Sequence, residues 1–179
     1  MKKTFKKSRD LLDYDPKWTE IFNLEKQNIR RIMGADAAEV HHIGSTSVLG
    51  MPGKNIVDIL VVIENLQPGE EYIDVLGGIG YIYRPVPGRE DSPFFTKPSE
   101  KPRSHNLHLA QMNSKVHRNQ LLFRDYLRYC RAAFDRYAKF KRDHLAEHPD
   151  DWEGYSRNKI QIAGDLLEAA MAWDAKGRK

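Results

Sequence analysis

The segment EVHHIGSTSVLGMPGKNIVDILVVIEN, residues 39–65, decides how this chain folds. Ile56 to Ile63 is an apolar, β-branched run that carries one acid, Asp58. A short run of this kind reads as a buried strand. Alternate residues of a strand share a face. Val57, Ile59, Val61 and Ile63 make one purely apolar face, which must pack on a core. Ile56, Asp58, Leu60 and Val62 make the other, where Asp58 is the only charge. An ionised carboxylate there costs several kcal/mol unless it is paired, hydrogen-bonded or bound to metal. Two readings stay open: a structural ion pair with an Arg or Lys, or a metal ligand or acid/base group at a cleft. Upstream, Gly44 lets a backbone approach closely. The hydroxyls of Ser45, Thr46 and Ser47, with the local N–H groups, can cradle a phosphate. Gly-Ser turns are common, so the turn alone does not decide.

Outward from this segment, residues 38–43 read as the strand before the turn. A helix over 16–33 puts Trp18, Phe22, Glu25, Ile29 and Ile32 on one face. Pro16 suits its first turn, and Asp15 its N-cap. A helix over 70–77 ends at Gly77-Gly78. Strands follow at 80–84, 94–97 and 105–111, separated by Pro/Gly-rich and polar loops. From Lys115 the composition turns helical, with two or three helices over 116–133, 134–147 and 152–174, the last two separated by Pro149. The expected class is α+β: a mixed sheet with flanking helices over 13–113, then a helical C-terminal third over 114–174. Residues 13–179 are expected to form one domain behind a basic arm, residues 1–12. A Rossmann-type fold is disfavoured, because strands and helices do not alternate and no glycine fingerprint follows a first strand.

A chain of 179 residues suffices for one domain with a real core. No apolar run approaches the ~20 residues of a membrane helix. The basic start has no apolar segment behind it and does not read as a signal peptide. A single cysteine, Cys130, excludes an internal disulfide and suits a reducing, cytoplasmic setting. The net charge of +4 favours an anionic partner only weakly.

Several charges stand where apolar residues are expected. Lys159 interrupts the helical stripe Trp152, Tyr155, Ile162, Leu166, Ala170. Arg124 and Asp125 interrupt an apolar stretch of the preceding helix. Lys159 or Arg124 either points at the Gly-Ser turn and supplies positive charge for an anion, or closes a salt bridge to Asp58 or Asp125. Lys54, just before the Asp58 strand, can meet a phosphate or pair with Asp58. Arg84, Arg89, Lys97, Lys101 and Arg103 lie on the loops of 84–103, around Phe94 and Phe95. Those loops can close over a phosphorylated ligand, while the phenylalanines read as packing residues. Arg128, Arg131 and Arg136 read as a solvated helix face, because acids are interspersed, so nucleic acid is not an expected partner.

The stretch HHIGSTSVLGMPGKNIVDILV resembles the signature of the GrpB family, a group related to the polymerase-β-like nucleotidyltransferases. YDPKWTEIF at 14–22, NLHL at 106–109, LLFRDYLR at 121–128 and GYSRNKIQI at 154–162 are similar to the family's other landmarks, in order. The resemblance implies a nucleotidyltransferase-like fold. In that superfamily a Gly-Ser turn meets the triphosphate, and a strand supplies two acids one residue apart. A later strand supplies a third, and the acids hold two divalent ions. Gly44-Ser45 matches the turn and Asp58 the first acid, but Leu60 stands at the second position. The later strand offers Asn106 and His108 on one face, neither of them the acid. Asp58 with His108 suits Zn²⁺ or Mn²⁺ better than Mg²⁺, or forms an acid/base pair. The family pattern has His at Asn106, and Pro at Leu49 and Asn55; His42 matches its histidine before Ile-Gly-Ser. A related domain is appended to some bacterial dephospho-CoA kinases. The resemblance therefore implies a protein that binds a nucleotide or other phosphorylated small ligand, with a divalent metal (Mg²⁺, Mn²⁺ or Zn²⁺) as the candidate cofactor. The alternative is a non-catalytic binding or folding-accessory module with a protein partner.

Overall fold

The computed structural model describes residues 11–97 and 103–178. Residues 1–10 of the basic arm, and Lys101, lie outside them. The end of the arm is not separate: Leu12 exchanges two backbone hydrogen bonds with Gly53, at 2.8 and 2.9 Å.

Strands β1 (Glu39–Ile43), β2 (Val57–Ile63), β3 (Ile82–Tyr83), β4 (Phe94–Lys97) and β5 (His105–Gln111) form one sheet, in the order β1-β2-β5-β4-β3. β2 and β5 run parallel at its centre, and the other pairs are antiparallel. Helices α1 (Lys17–Met33) and α2 (Ile73–Gly77) cover one face. α3 (Lys115–Tyr129) covers part of the other and carries α4 (Arg131–Glu147) and α5 (Trp152–Ala175). The expected α+β class, a mixed sheet followed by helices, is the observed one.

The alternation in β2 has the expected result. Val57, Ile59, Val61 and Ile63 are buried with Trp18, Phe22 and Ile29 of α1 and with Leu76 of α2. α1 starts where Pro16 allows, and the Asp15 carboxylate accepts the Lys17 N–H at 2.9 Å. On the opposite face Ile43, Leu60, Val62 and Ala110 form a smaller cluster under Val116 and Leu121 of α3.

Three boundaries differ from expectation. A 3₁₀ turn, Gly69–Tyr72, precedes α2, and β3 is only two residues long. α3 ends at Tyr129, where Cys130 adopts an extended backbone with φ −91° and ψ 103°. No glycine or proline marks that break. It is set by packing, since Leu127 of α3 and Ala133 and Tyr137 of α4 must reach one apolar cluster.

Glu25, on the apolar face of α1, is 4% exposed and accepts two hydrogen bonds from Lys97 Nζ, at 2.9 and 3.1 Å. Lys97 thus lies beneath the sheet, on the α1 side, and not on a loop above a ligand. Removing one member of such a pair strands the other charge. Lys97→Met is expected to cost about 2–3 kcal/mol in urea denaturation, and Glu25→Leu in the same chain to recover most of it.

Candidate functional site

The strand register builds the site. β2 beside β5 sets Asp58 opposite Asn106 and Leu60 opposite His108, while β1 sets Ile43 opposite Asp58. α3 seals this face over Leu60 and Val62, whereas Asp58, Asn106 and His108 border open space. Asn106 Nδ2 donates to Asp58 Oδ1 at 2.6 Å, and Arg103 Nη1 donates to Asn106 Oδ1 at 3.0 Å. Among the described residues no Arg or Lys forms an ion pair with Asp58. The structural ion pair that the sequence left open is not formed among the described residues.

Gly44 lies directly against this carboxylate. A Cβ at Gly44 would stand 2.3 Å from Asp58 Oδ2, and its φ is +70°. Only glycine combines that backbone with that approach. The chain then enters a 3₁₀ turn, Ser45–Ser47. Ser47 Oγ donates to the Gly44 carbonyl at 2.7 Å, and the Thr46 hydroxyl is 2.9 Å from His42 Nε2. Thr46 and Ser47 therefore hold the turn together; Thr46, though buried, borders the smaller part of the cleft, and Ser45 is half-buried and borders both parts.

Two candidates lie elsewhere. His42 points to the α1 face, stacked on Phe22 with ring centroids 4.7 Å apart. Its burial, aided by the Arg128 and Arg124 guanidiniums, lowers its pKa to about 4, so it is a neutral packing residue. Arg124 donates to Asp125 Oδ1 at 2.8 Å and to the His42 carbonyl at 3.2 Å, which is the salt-bridge alternative. Arg128 is not merely solvated: it donates to the Ser47 carbonyl at 3.1 and 2.7 Å and fixes the turn from behind. The loop cations also disperse. Arg84 bonds Thr96 and Lys97 bonds Glu25; among the described loop cations only Arg89 and Arg103 reach the cleft. Phe95 is fully buried, as expected, and Phe94 stacks on His108 at 4.8 Å. Asn55, where the family pattern has proline, accepts the Trp18 indole N–H at 2.9 Å.

The cleft has two parts that meet at Ser45, Asp58 and Lys159. The smaller, about 190 Å³, is bordered by Lys54, Arg103, Lys141 and Lys159. The larger, about 460 Å³, is bordered by Arg89 and His108, by Asn119 and Gln120, and by Val116, Phe123 and Leu167. Lys159 is exposed at this junction, on the same cleft as the Gly-Ser turn. Lys54 sits over the Tyr155 ring, 5.0 Å from its centroid. Burial lowers the His108 pKa to about 4; Asp58 opposes the shift, and Arg89 and Lys159 add to it. His108 is therefore a neutral imidazole at neutral pH, with a buried Nδ1 that has no hydrogen-bond partner among the described residues.

Lys141 escaped the sequence reading. It is 1% exposed, donates to Ser45 Oγ and to the Pro52 carbonyl, and lies 4.3 Å from the Tyr137 ring centroid. Burial, with Lys159 close by, holds its pKa well below the usual lysine value. The signal was present, since Lys141 follows Phe134, Tyr137 and Ala138 at helical spacing, as Lys159 follows Tyr155.

A second polar cluster lies at the far end of β1. Ligand atoms of Glu39, His41 and His117 fall within 4.8 Å of one another. His117 Nδ1 accepts the Asn113 N–H at 3.2 Å, so the neutral ring carries its proton on Nε2, toward Glu39. Nε2 of both imidazoles faces the same Glu39 carboxylate oxygen.

A Gly-Ser turn packed on an acid at the end of a central strand, with helices behind, defines a nucleotidyltransferase-like fold. GLD-2 in its complex with RNP-8 superposes with a TM-score of 0.54 over 85% of this chain and 58% of that one, at 13% identity, which is a likeness of fold. The family model described as GrpB protein matches residues 9–169, and the chain belongs to the GrpB family. The crystal structure of the conserved protein GrpB from Enterococcus faecalis superposes with a TM-score of 0.78 at 29% identity, over 89% of this chain and 98% of that one. The UPF0157 protein YqkA of Bacillus subtilis is 31% identical over 97% of this chain, which spans 50% of that relative's length. The UPF0157 protein BH1888 of Halalkalibacterium halodurans is 35% identical over 90% of this chain and 82% of its own. No helix among the described residues is long and apolar enough to cross a membrane.

Gly44→Ala is expected to cost about 1–3 kcal/mol in urea denaturation from backbone strain alone. It also pushes the Asp58 carboxylate off its seat, so a crystal structure of the variant should find that side chain moved. The His42 imidazole titrates near 6.5 when unfolded and near 4 when folded. Between these values the unfolded chain holds more protons, so stability is full above pH 6.5 and is lost as pH falls through 4. The loss attributable to His42 is up to about 3 kcal/mol. Urea midpoints measured across this window should fall less steeply in His42→Gln than in the parent chain.

Proposed function

We propose that this protein binds a nucleotide or another phosphorylated small molecule in the cleft at Gly44, Ser45 and Lys159. The observation that carries the reading is the smaller part of the cleft, where Lys54, Arg103 and Lys159 share one space with Ser45. A phosphate meets the Ser45 hydroxyl, the N–H groups of the 3₁₀ turn and the Lys159 ammonium there. The larger part, with one apolar wall and the amides of Asn119 and Gln120, suits the organic body of the ligand. Asp58, at the junction, and neutral His108, on the larger part, are the groups able to accept a proton from a reacting hydroxyl.

One observation favours a second reading, in which the protein is a non-catalytic module with a protein partner. Leu60 and Asn106 stand where the resemblance implies acids, and both are built into the structure, Leu60 by burial and Asn106 by its bond to Asp58. The two readings overlap only where the module binds a phosphorylated ligand without reacting with it.

Thermal unfolding against a panel of nucleoside mono-, di- and triphosphates and sugar phosphates tests the shared part. A ligand at a hundredfold excess over Kd is expected to raise Tm by about 5–10 °C. Lys159→Glu, at an exposed position, should remove that rise while leaving the Tm without ligand unchanged. A panel that produces no rise at all overturns the reading.

A further inference from the structure

The fold implies divalent metal ions held by acids, and the residues here do not fit them. Mg²⁺ and Mn²⁺ take several oxygen ligands, with carboxylates as the protein's usual contribution. Leu60, at the second acid position, is 0% exposed and packed with Ile43, Val62 and Ala110. Asn106, at the later strand, turns its amide N–H toward Asp58 and its oxygen toward Arg103, so its oxygen is already engaged. Among the described residues Asp58 is left as the one carboxylate bordering the cleft, with Oδ1 accepting from Asn106 and Oδ2 against Gly44. His108 is nearby, but a histidine and one carboxylate make two ligands, short of a closed site.

The charge around that carboxylate is the opposite of what a cation needs. Lys54, Arg103, Lys141 and Lys159 border the smaller part of the cleft, and Arg89 the larger. Two further divalent charges in the same space would meet like-charge repulsion from Lys54, Arg103, Lys159 and Arg89. A phosphate chain entering without metal meets the attraction instead.

We propose that the cleft binds the phosphate end of its ligand as the free, metal-free anion, with Lys159, Lys54 and Arg103 supplying the positive charge that divalent ions supply elsewhere in the fold. This rests on the reading of the cleft as a phosphate-ligand site and adds how that site works. Asp58 takes no part in holding the phosphates. Its charge opposes them, and it faces the reacting or recognised group instead.

The two modes predict opposite signs for one substitution. In a metal site Asp58→Asn destroys phosphate binding. In a metal-free site it leaves binding unchanged or tightens it, because a repelling charge is removed and the new amide oxygen still accepts from Asn106. The experiment is calorimetric titration of the full chain with inorganic tripolyphosphate, which needs only the cationic part of the cleft, first in EDTA and then in excess Mg²⁺. Binding is expected in EDTA, no tighter in Mg²⁺, and weaker as salt rises. Lys159→Met is expected to weaken it about tenfold, and Lys159→Met with Lys54→Met further still. Circular dichroism confirms that each variant is folded. Binding that requires Mg²⁺ and is lost in Asp58→Asn overturns the inference and leaves the phosphate reading standing. Binding that ignores both lysine substitutions is adventitious and also overturns it. Absence of binding in either buffer overturns it too, and the thermal panel with organic phosphates then decides separately whether the broader reading survives.

Discussion

The contact between Gly44 and the Asp58 carboxylate is the constraint on which the site depends. A side chain at residue 44 would overlap Asp58 Oδ2, and the φ of +70° would strain it in any case. Because the backbone presses on the carboxylate, the turn that follows begins beside Asp58 and not a strand's width away. Three polar contacts then fix the turn from its other sides: Ser47 on the Gly44 carbonyl, His42 on Thr46, and Arg128 on the Ser47 carbonyl. Lys141 completes the cage by donating to Ser45. The Ser45 hydroxyl and the first N–H groups of the turn are thereby held in place, the kind of preorganisation that lowers the entropy cost of the binding proposed above.

The same sheet face changes character along its length. Toward Val62 and Ala110 it is sealed by α3, and toward Asp58 and Asn106 it opens. Leu60 falls on the sealed side of that divide. An acid there would be enclosed among aliphatic side chains, so the position that a two-metal site would use serves the core instead. The charged side chains bordering the open side are mostly basic, contributed by the β2 approach, by the loops before β4 and β5, and by α4 and α5. The site is thus assembled from both the sheet and the C-terminal helices, and neither part alone carries its charge.

Burial explains most departures from the sequence reading. Lys97 looked like a ligand-facing loop charge because its partner, Glu25, lies 72 residues away. Arg124 takes the Asp125 partner that the sequence offered and adds the His42 carbonyl, 82 residues away. His42 matched the family histidine beside the turn, and it does serve the turn, through Thr46 on the core side of the sheet. Lys159 could be read either way, and the packing of α5 against α3 leaves it at the junction of the two cleft parts.

By itself the sequence determined the class of fold, the two faces of β2, the need for glycine-like freedom before Ser45, and the family through motifs in fixed order. These are local properties: period-two alternation, capping and turn chemistry act between residues a few positions apart. Only the tertiary structure decided which charges share a space. It set Asn106, not a cation, against Asp58, drew Lys141 inward to Ser45, and ended α3 at Tyr129 without a breaker residue. The reason is physical: a charge settles where its desolvation is compensated, and the groups that compensate it come from distant parts of the chain.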